Sequence, residues 1–114
     1  MGDTIFDKIL AGSIPADVVY EDDAVLAFRD VAPQAPVHVL VIPKHRMESL
    51  DDVPEAPDAV VAAFLKNVAS VARSLGLPAN GYRVVFNTGA DAQQSVQYLH
   101  AHILAGRQMN WPPG

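Results

Sequence analysis

The chain has 114 residues, half of them hydrophobic and 18% charged, a size and composition suited to one folded domain rather than to a disordered segment. It has no cysteine and a net charge of −5, which excludes disulfides, thiolate metal sites and a cysteine nucleophile. The same acidity leaves no basic footprint for a nucleic-acid polymer, although a few local donors suffice for one phosphate. The most versatile side chains left are four histidines: His38, His45, His100 and His102.

Ile5, Phe6, Ile9 and Leu10 fall at helical spacings, so a helix is expected over residues 4–11, capped by Asp3 or Thr4 and stopped by Gly12. Residues 18–21 and 25–29 are short β-rich runs joined by Asp22 and Asp23, the pattern of a hairpin. A proline-stiffened loop over 32–36 leads into residues 37–43. Both faces of that run are apolar (Val37, Val39 and Val41 against Leu40 and Ile42), which predicts a central strand covered on both sides. Residues 44–57 are polar and acidic, suited to a short helical turn and a loop. Asp51, Asp52 and Glu55 read as a solvated face, and His45 as a surface residue.

Over 59–75, Val61, Phe64, Val68, Val71 and Leu75 form one apolar stripe, the signature of an amphipathic helix. Gly76 and Pro78 end it. Strands are expected over 82–87 and 96–105, with a polar loop over 88–95 between them. The proline-rich tail, 106–114, cannot be a central strand. The sum is an α+β domain, with about five strands in an antiparallel sheet and two helices. No segment looks like an export signal or approaches the length of a membrane span, so a cytoplasmic protein is expected.

His100 and His102, two apart in the expected last strand, project from one face about 6.6 Å apart along the chain, and Tyr98 would share that face. Such a pair can supply a nucleophile and a donor to developing charge. His-x-His alone is a weak signal, equally suited to two surface histidines. The context is more specific. The string from Gln94 to Gly114, containing Tyr98-Leu-His-Ala-His102 and Gly106-Arg-Gln-Met109, resembles the C-terminal signature of the histidine-triad (HIT) nucleotide-binding family, in its Hint branch. The run from Thr4 to Ile9 resembles that branch's opening helix. The run from Phe28 to Lys44 resembles its nucleoside-binding strand and the strand after it. Two departures stand out: Tyr98 occupies the place of the first triad histidine, and Ala92-Gln93-Gln94 stands where the branch has glycines.

The resemblance implies a purine nucleoside 5′-phosphoramidate hydrolase that needs no cofactor or metal and works through a nucleotidyl-histidine intermediate. His100 would be the nucleophile, His102 a donor to the phosphate, and Ser95 a hydroxyl contacting phosphate or leaving group. Asn87 would be an amide near the scissile bond. His38 would be an additional histidine hydrogen-bonded to Tyr98. Asp30 would take the ribose hydroxyls, and Ile5, Phe6, Ile9, Phe28 and Val31 the base, with Tyr98 beside them. Each of the five apolar residues equally suits ordinary core. Trp111 would serve a symmetric homodimer whose sheet runs on through both copies as about ten strands. The alternative is a nucleotide-binding module whose catalysis Tyr98 has weakened. Zinc on His38, His100 and His102 is chemically feasible, but the resemblance accounts for those histidines without it.

Overall fold

A computed structural model describes residues 3–114. Its first helix, α1, spans Ile5–Leu10. Thr4 caps it by accepting from the Asp7 amide, while the Asp7 carboxylate accepts from the Thr4 amide at 2.8 Å. This reciprocal box satisfies donors that the first helical turn leaves free.

The strands are β1 (Val18–Glu21), β2 (Val25–Arg29), β3 (Val37–Pro43), β4 (Arg83–Val85) and β5 (Ala101–Ala105). They form one antiparallel sheet in the order β1-β2-β3-β5-β4. The Asp22 carboxylate makes the first turn by accepting from the Ala24 and Val25 amides. The long helix α2 covers Asp58–Ser74. Gly76 follows it at φ +75°, a left-handed conformation that glycine adopts without a Cβ penalty. The acidic stretch after β3 contains the 3₁₀ helix Leu50–Glu55, started by Ser49.

Strand alternation divides the core into two. Val25, Ala27, Val39, Val41, Ala101, Ile103 and Ala105 pack toward α2, against Phe64, Val68 and Val71. Leu26, Phe28, Leu40 and Ile42 point the other way, toward Phe6 of α1 and Tyr98. The central strand β3 is therefore covered on both faces, as its apolar pattern requires.

Two expected strands are shorter than their sequences suggest. The run expected over 82–87 pairs only at Arg83–Val85. The run expected over 96–105 pairs only at Ala101–Ala105, so Tyr98 and His100 precede the strand. The physical reason is where the backbone bonds of residues 94–99 go. Leu99 N–H donates to the Met47 carbonyl at 2.8 Å, which ties this stretch to the segment after β3. Among the described residues, no helix is long and apolar enough to cross a membrane.

Candidate active site

The register between β3 and β5 pairs His38 with Leu104 and Leu40 with His102. His38 and His102 thus become diagonal neighbours on the α1 face of the sheet. His38 Nε2 and His102 Nδ1 lie 2.9 Å apart. The expected bond between His38 and Tyr98 is absent, because that same register carries position 98 toward the far end of β3. There the Tyr98 hydroxyl donates to the Pro43 carbonyl.

The hydrogen bonds fix the protons on all three rings. The Gln34 backbone amide donates to His38 Nδ1 at 2.9 Å, so that nitrogen holds a lone pair and neutral His38 carries its proton on Nε2. That proton is shared between His102 Nδ1 and the Asp30 carboxylate, whose Oδ2 is 3.3 Å away. His102 Nδ1 is then an acceptor, and the His102 proton sits on Nε2. This N–H is buried and has no partner among the described residues. His100 has the opposite polarity. Its Nδ1–H donates to the Tyr98 carbonyl at 2.6 Å, which leaves the lone pair on Nε2. The two rings are 4.9 Å apart between centroids. One presents a lone pair and the other an unsatisfied donor.

Burial keeps these rings neutral. Desolvation pushes His38 and His100 below the usual histidine range, opposed by Asp30 and, for His100, also by its bond to the Tyr98 carbonyl. His102 is held at about 4, chiefly by desolvation and then by repulsion from His100 and His38. A nucleophilic imidazole must be neutral at working pH, and this site makes it so.

A cleft of about 290 Å³ opens over the pair, lined by Ile5, Phe6, Ile9, Phe28, Asp30, Val31, Ser95, His100 and His102 among others. Phe6 stands edge-on to Phe28 at 5.5 Å and to His100 at 5.0 Å, forming a wall of π-faces. Asp30 is held by accepting the Ala32 amide on Oδ1 at 2.9 Å. Ser95 stands at the mouth, where a second, more open hollow of about 510 Å³ begins. Gln94 braces that mouth: its side chain accepts from the Gly89 amide and donates to the Glu48 and Val96 carbonyls. Its neighbour Gln93 adopts φ +61°, a left-handed conformation that glycine adopts more readily.

The remaining candidates lie outside the cleft. His38 is behind His102. Tyr98 is buried, and loss of solvation pushes its phenol up to about 12. Asn87 does not line the cleft, and Trp111 is exposed on the tail with the Arg83 guanidinium 6.0 Å from its ring. His45 is exposed. Sequence reasoning missed Gln34, which acts through its backbone, and Arg46. Arg46 binds Asp7 at 3.0 and 3.1 Å in a polar stretch that carries no pattern.

Asp30, His38 and His102 also bring metal-ligand atoms within 4.8 Å of one another. A cation would have to displace the proton shared by the two imidazoles and separate their rings. As folded, the three residues form a hydrogen-bonded relay.

Residues 11–109 match the HIT domain family. The chain is 50% identical to Adenylylsulfatase HINT1 of Arabidopsis thaliana, over 97% of this chain and 76% of that one. It is 49% identical to a 14 kDa zinc-binding protein of Brassica juncea, over 98% and 100%. Its structure superposes on a HIT family hydrolase from Legionella pneumophila with a TM-score of 0.92 and 46% identity, covering 98% and 100%. With its five-stranded sheet, its histidines on the α1 face and these relatives, the chain belongs to the HIT family, among the Hint-like members.

Proposed function

We propose that the protein is a nucleotide-binding hydrolase that cleaves purine nucleoside 5′-phosphoramidates through a nucleotidyl-histidine intermediate. The observation that carries this reading is the opposed polarity of the two imidazoles, a lone pair on His100 Nε2 beside the unpartnered His102 Nε2–H. His100 Nε2 attacks phosphorus, a nitrogen–phosphorus bond forms, and the bond from phosphorus to the leaving amine breaks. The amine must take up a proton as it departs. Ser95 stands at the cleft mouth, where its hydroxyl can supply that proton. His102 Nε2–H donates to the phosphate oxygen on which charge grows. The positive charge arising on His100 is stabilised through Nδ1–H by the Tyr98 carbonyl. Water then attacks phosphorus, the bond from phosphorus to His100 Nε2 breaks to release the nucleoside monophosphate, and one water proton returns to Ser95, leaving His100 neutral again.

The cleft suits the rest of such a substrate. Asp30 faces it with a carboxylate that can accept from two ribose hydroxyls. Phe6, Phe28, Ile5, Ile9 and Val31 offer an apolar slot for the base, which selects by shape and stacking more than by base edge. The Arabidopsis relative is named for acting on an adenylyl sulfate; the same attack with sulfate leaving needs no proton donor. A second copy of the chain belongs to this reading, since Trp111 is 81% exposed on a tail that a symmetric partner would cover.

The test is turnover of adenosine 5′-phosphoramidate and adenosine 5′-phosphosulfate by wild type and His100→Ala, with adenosine monophosphate binding measured in parallel. Loss of about a thousandfold or more in the variant, with binding retained, is the expected result for a nucleophile. Wild-type turnover no faster than the variant's, with binding intact, would make the protein a binding module.

A further inference from the structure

One guanidinium outside the cleft touches both of its halves. Arg46 follows β3 and grips Asp7 of α1 with two nitrogens, Nε at 3.0 Å and Nη2 at 3.1 Å. The same Asp7 carboxylate closes the cap of α1. The planar group also lies over the Tyr98 ring, 5.1 Å from its centroid, and Nη2 reaches the Gln97 carbonyl at 3.4 Å. Burial is consistent with a fixed geometry: Tyr98 is fully enclosed, and its hydroxyl is committed to Pro43. Phe6, on α1, packs edge-on against both Tyr98 and His100.

The geometry points to Arg46, with Asp7 and Tyr98, as the positioning element of the nucleophile. It locks the Tyr98 carbonyl that sets the His100 tautomer, and it ties that carbonyl to the helix forming the nucleoside slot. This rests on the reading of His100 as nucleophile. Residues 43–48 hold residues 94–99 at four places: Pro43 to Tyr98, Arg46 to Gln97, Met47 to Leu99, and Glu48 to Gln94. Of these four, the Arg46 contact alone also hydrogen-bonds to α1, through Asp7. A guanidinium suits the task because it can pair in two places and stack at once, which a lysine cannot. The stack also accounts for a tyrosine at position 98: a broad ring under the guanidinium, with a hydroxyl long enough to reach Pro43.

The experiment compares Arg46→Ala, Arg46→Lys and Tyr98→Phe with wild type. The readouts are kcat and KM on adenosine 5′-phosphoramidate, ¹⁵N chemical shifts of the His100 ring, and thermal midpoint. Lys44→Ala, which removes the surface pair with Glu21, controls for a generic loss of stability. Arg46→Ala is expected to lower kcat about ten- to a hundredfold, the scale of a small misplacement of reacting groups. His100 should then show a mixture of Nδ1–H and Nε2–H forms. Arg46→Lys should rescue the thermal midpoint more than kcat, and Tyr98→Phe should shift the His100 signals while α1 stays docked. A folded Arg46→Ala with wild-type kcat and unchanged His100 shifts would overturn the proposal. If wild type turns over no phosphoramidate, the ring shifts still decide the positioning role, and only the functional reading falls.

Discussion

The two faces of the sheet use the same strands for different ends. Among the described residues, fourteen buried ones form a continuous apolar cluster on the α2 face. On the α1 face the corresponding cluster has six, and half of them are aromatic. Helix length explains the contrast. At about 1.5 Å per residue, α2 runs some 26 Å and covers its face, whereas α1 runs about 9 Å and covers only part of the other. What α1 leaves open is the cleft. Polar side chains at His38, His100 and His102 occur on the face where a short helix makes room for a ligand.

This contrast is most strongly tested by Phe64→Ala. Phe64, on the sheet-facing side of α2, is almost wholly buried, and its removal should cost about 3–5 kcal/mol in unfolding free energy while leaving turnover per folded molecule unchanged. Denaturant unfolding and activity at low temperature would measure both. A fall in kcat larger than the loss of folded protein would show that the two faces are not separate.

A smaller effect is expected at the junction of the two. Gly106 has φ +94°, and a Cβ there would lie 2.8 Å from the Pro36 Cβ, just before β3 and His38. Gly106→Ala should cost roughly 1–3 kcal/mol from the strained conformation and the clash. Unlike Phe64→Ala, it should also disturb the His38–His102 bond, visible in the ring ¹⁵N shifts. Unperturbed ring signals would confine Gly106 to the scaffold.

The smallest effect is on pH dependence, and it separates the faces by chemistry. The three site histidines are neutral when folded but take protons in the unfolded chain below their ordinary value of about 6.5. Their depressed values therefore favour the fold above that pH. This contribution is lost as pH falls toward about 4, where folded His102 itself protonates. Asp7, held down to about 2 chiefly by Arg46, adds a loss in the same direction over a more acidic window. Urea midpoints should fall between pH 6.5 and 4. Replacing His102 by glutamine should flatten that slope, whereas Phe64→Ala should leave it intact; a slope equally steep in the glutamine variant would remove His102 from the account.

Much of the scaffold was legible because burial leaves a periodic trace. The α2 stripe repeats with the helix, and the two-faced apolarity of β3 announces a covered strand. That His100 and His102 stand side by side was legible from His-x-His, and both line the cleft. Residues 94–99 were not, because Val96 and Tyr98 have β-like composition while their stretch bonds to a segment about fifty positions away. The neighbour of His38 was likewise hidden, since only the register decides it. Arg46 is one polar residue among others until α1 and Tyr98 are folded against it.

The amide of Gln34 is the start of the proton order in the cleft, and it belongs to the main chain. Its peptide unit is used at both ends: N–H to His38 and C=O to the Arg107 guanidinium, at 3.1 Å for Nη2. The instruction reaching His102 is therefore silent in an alanine scan. A change of side chain at position 34 leaves in place the amide that sets the polarity of the site. Proline alone, lacking the amide hydrogen, would erase it.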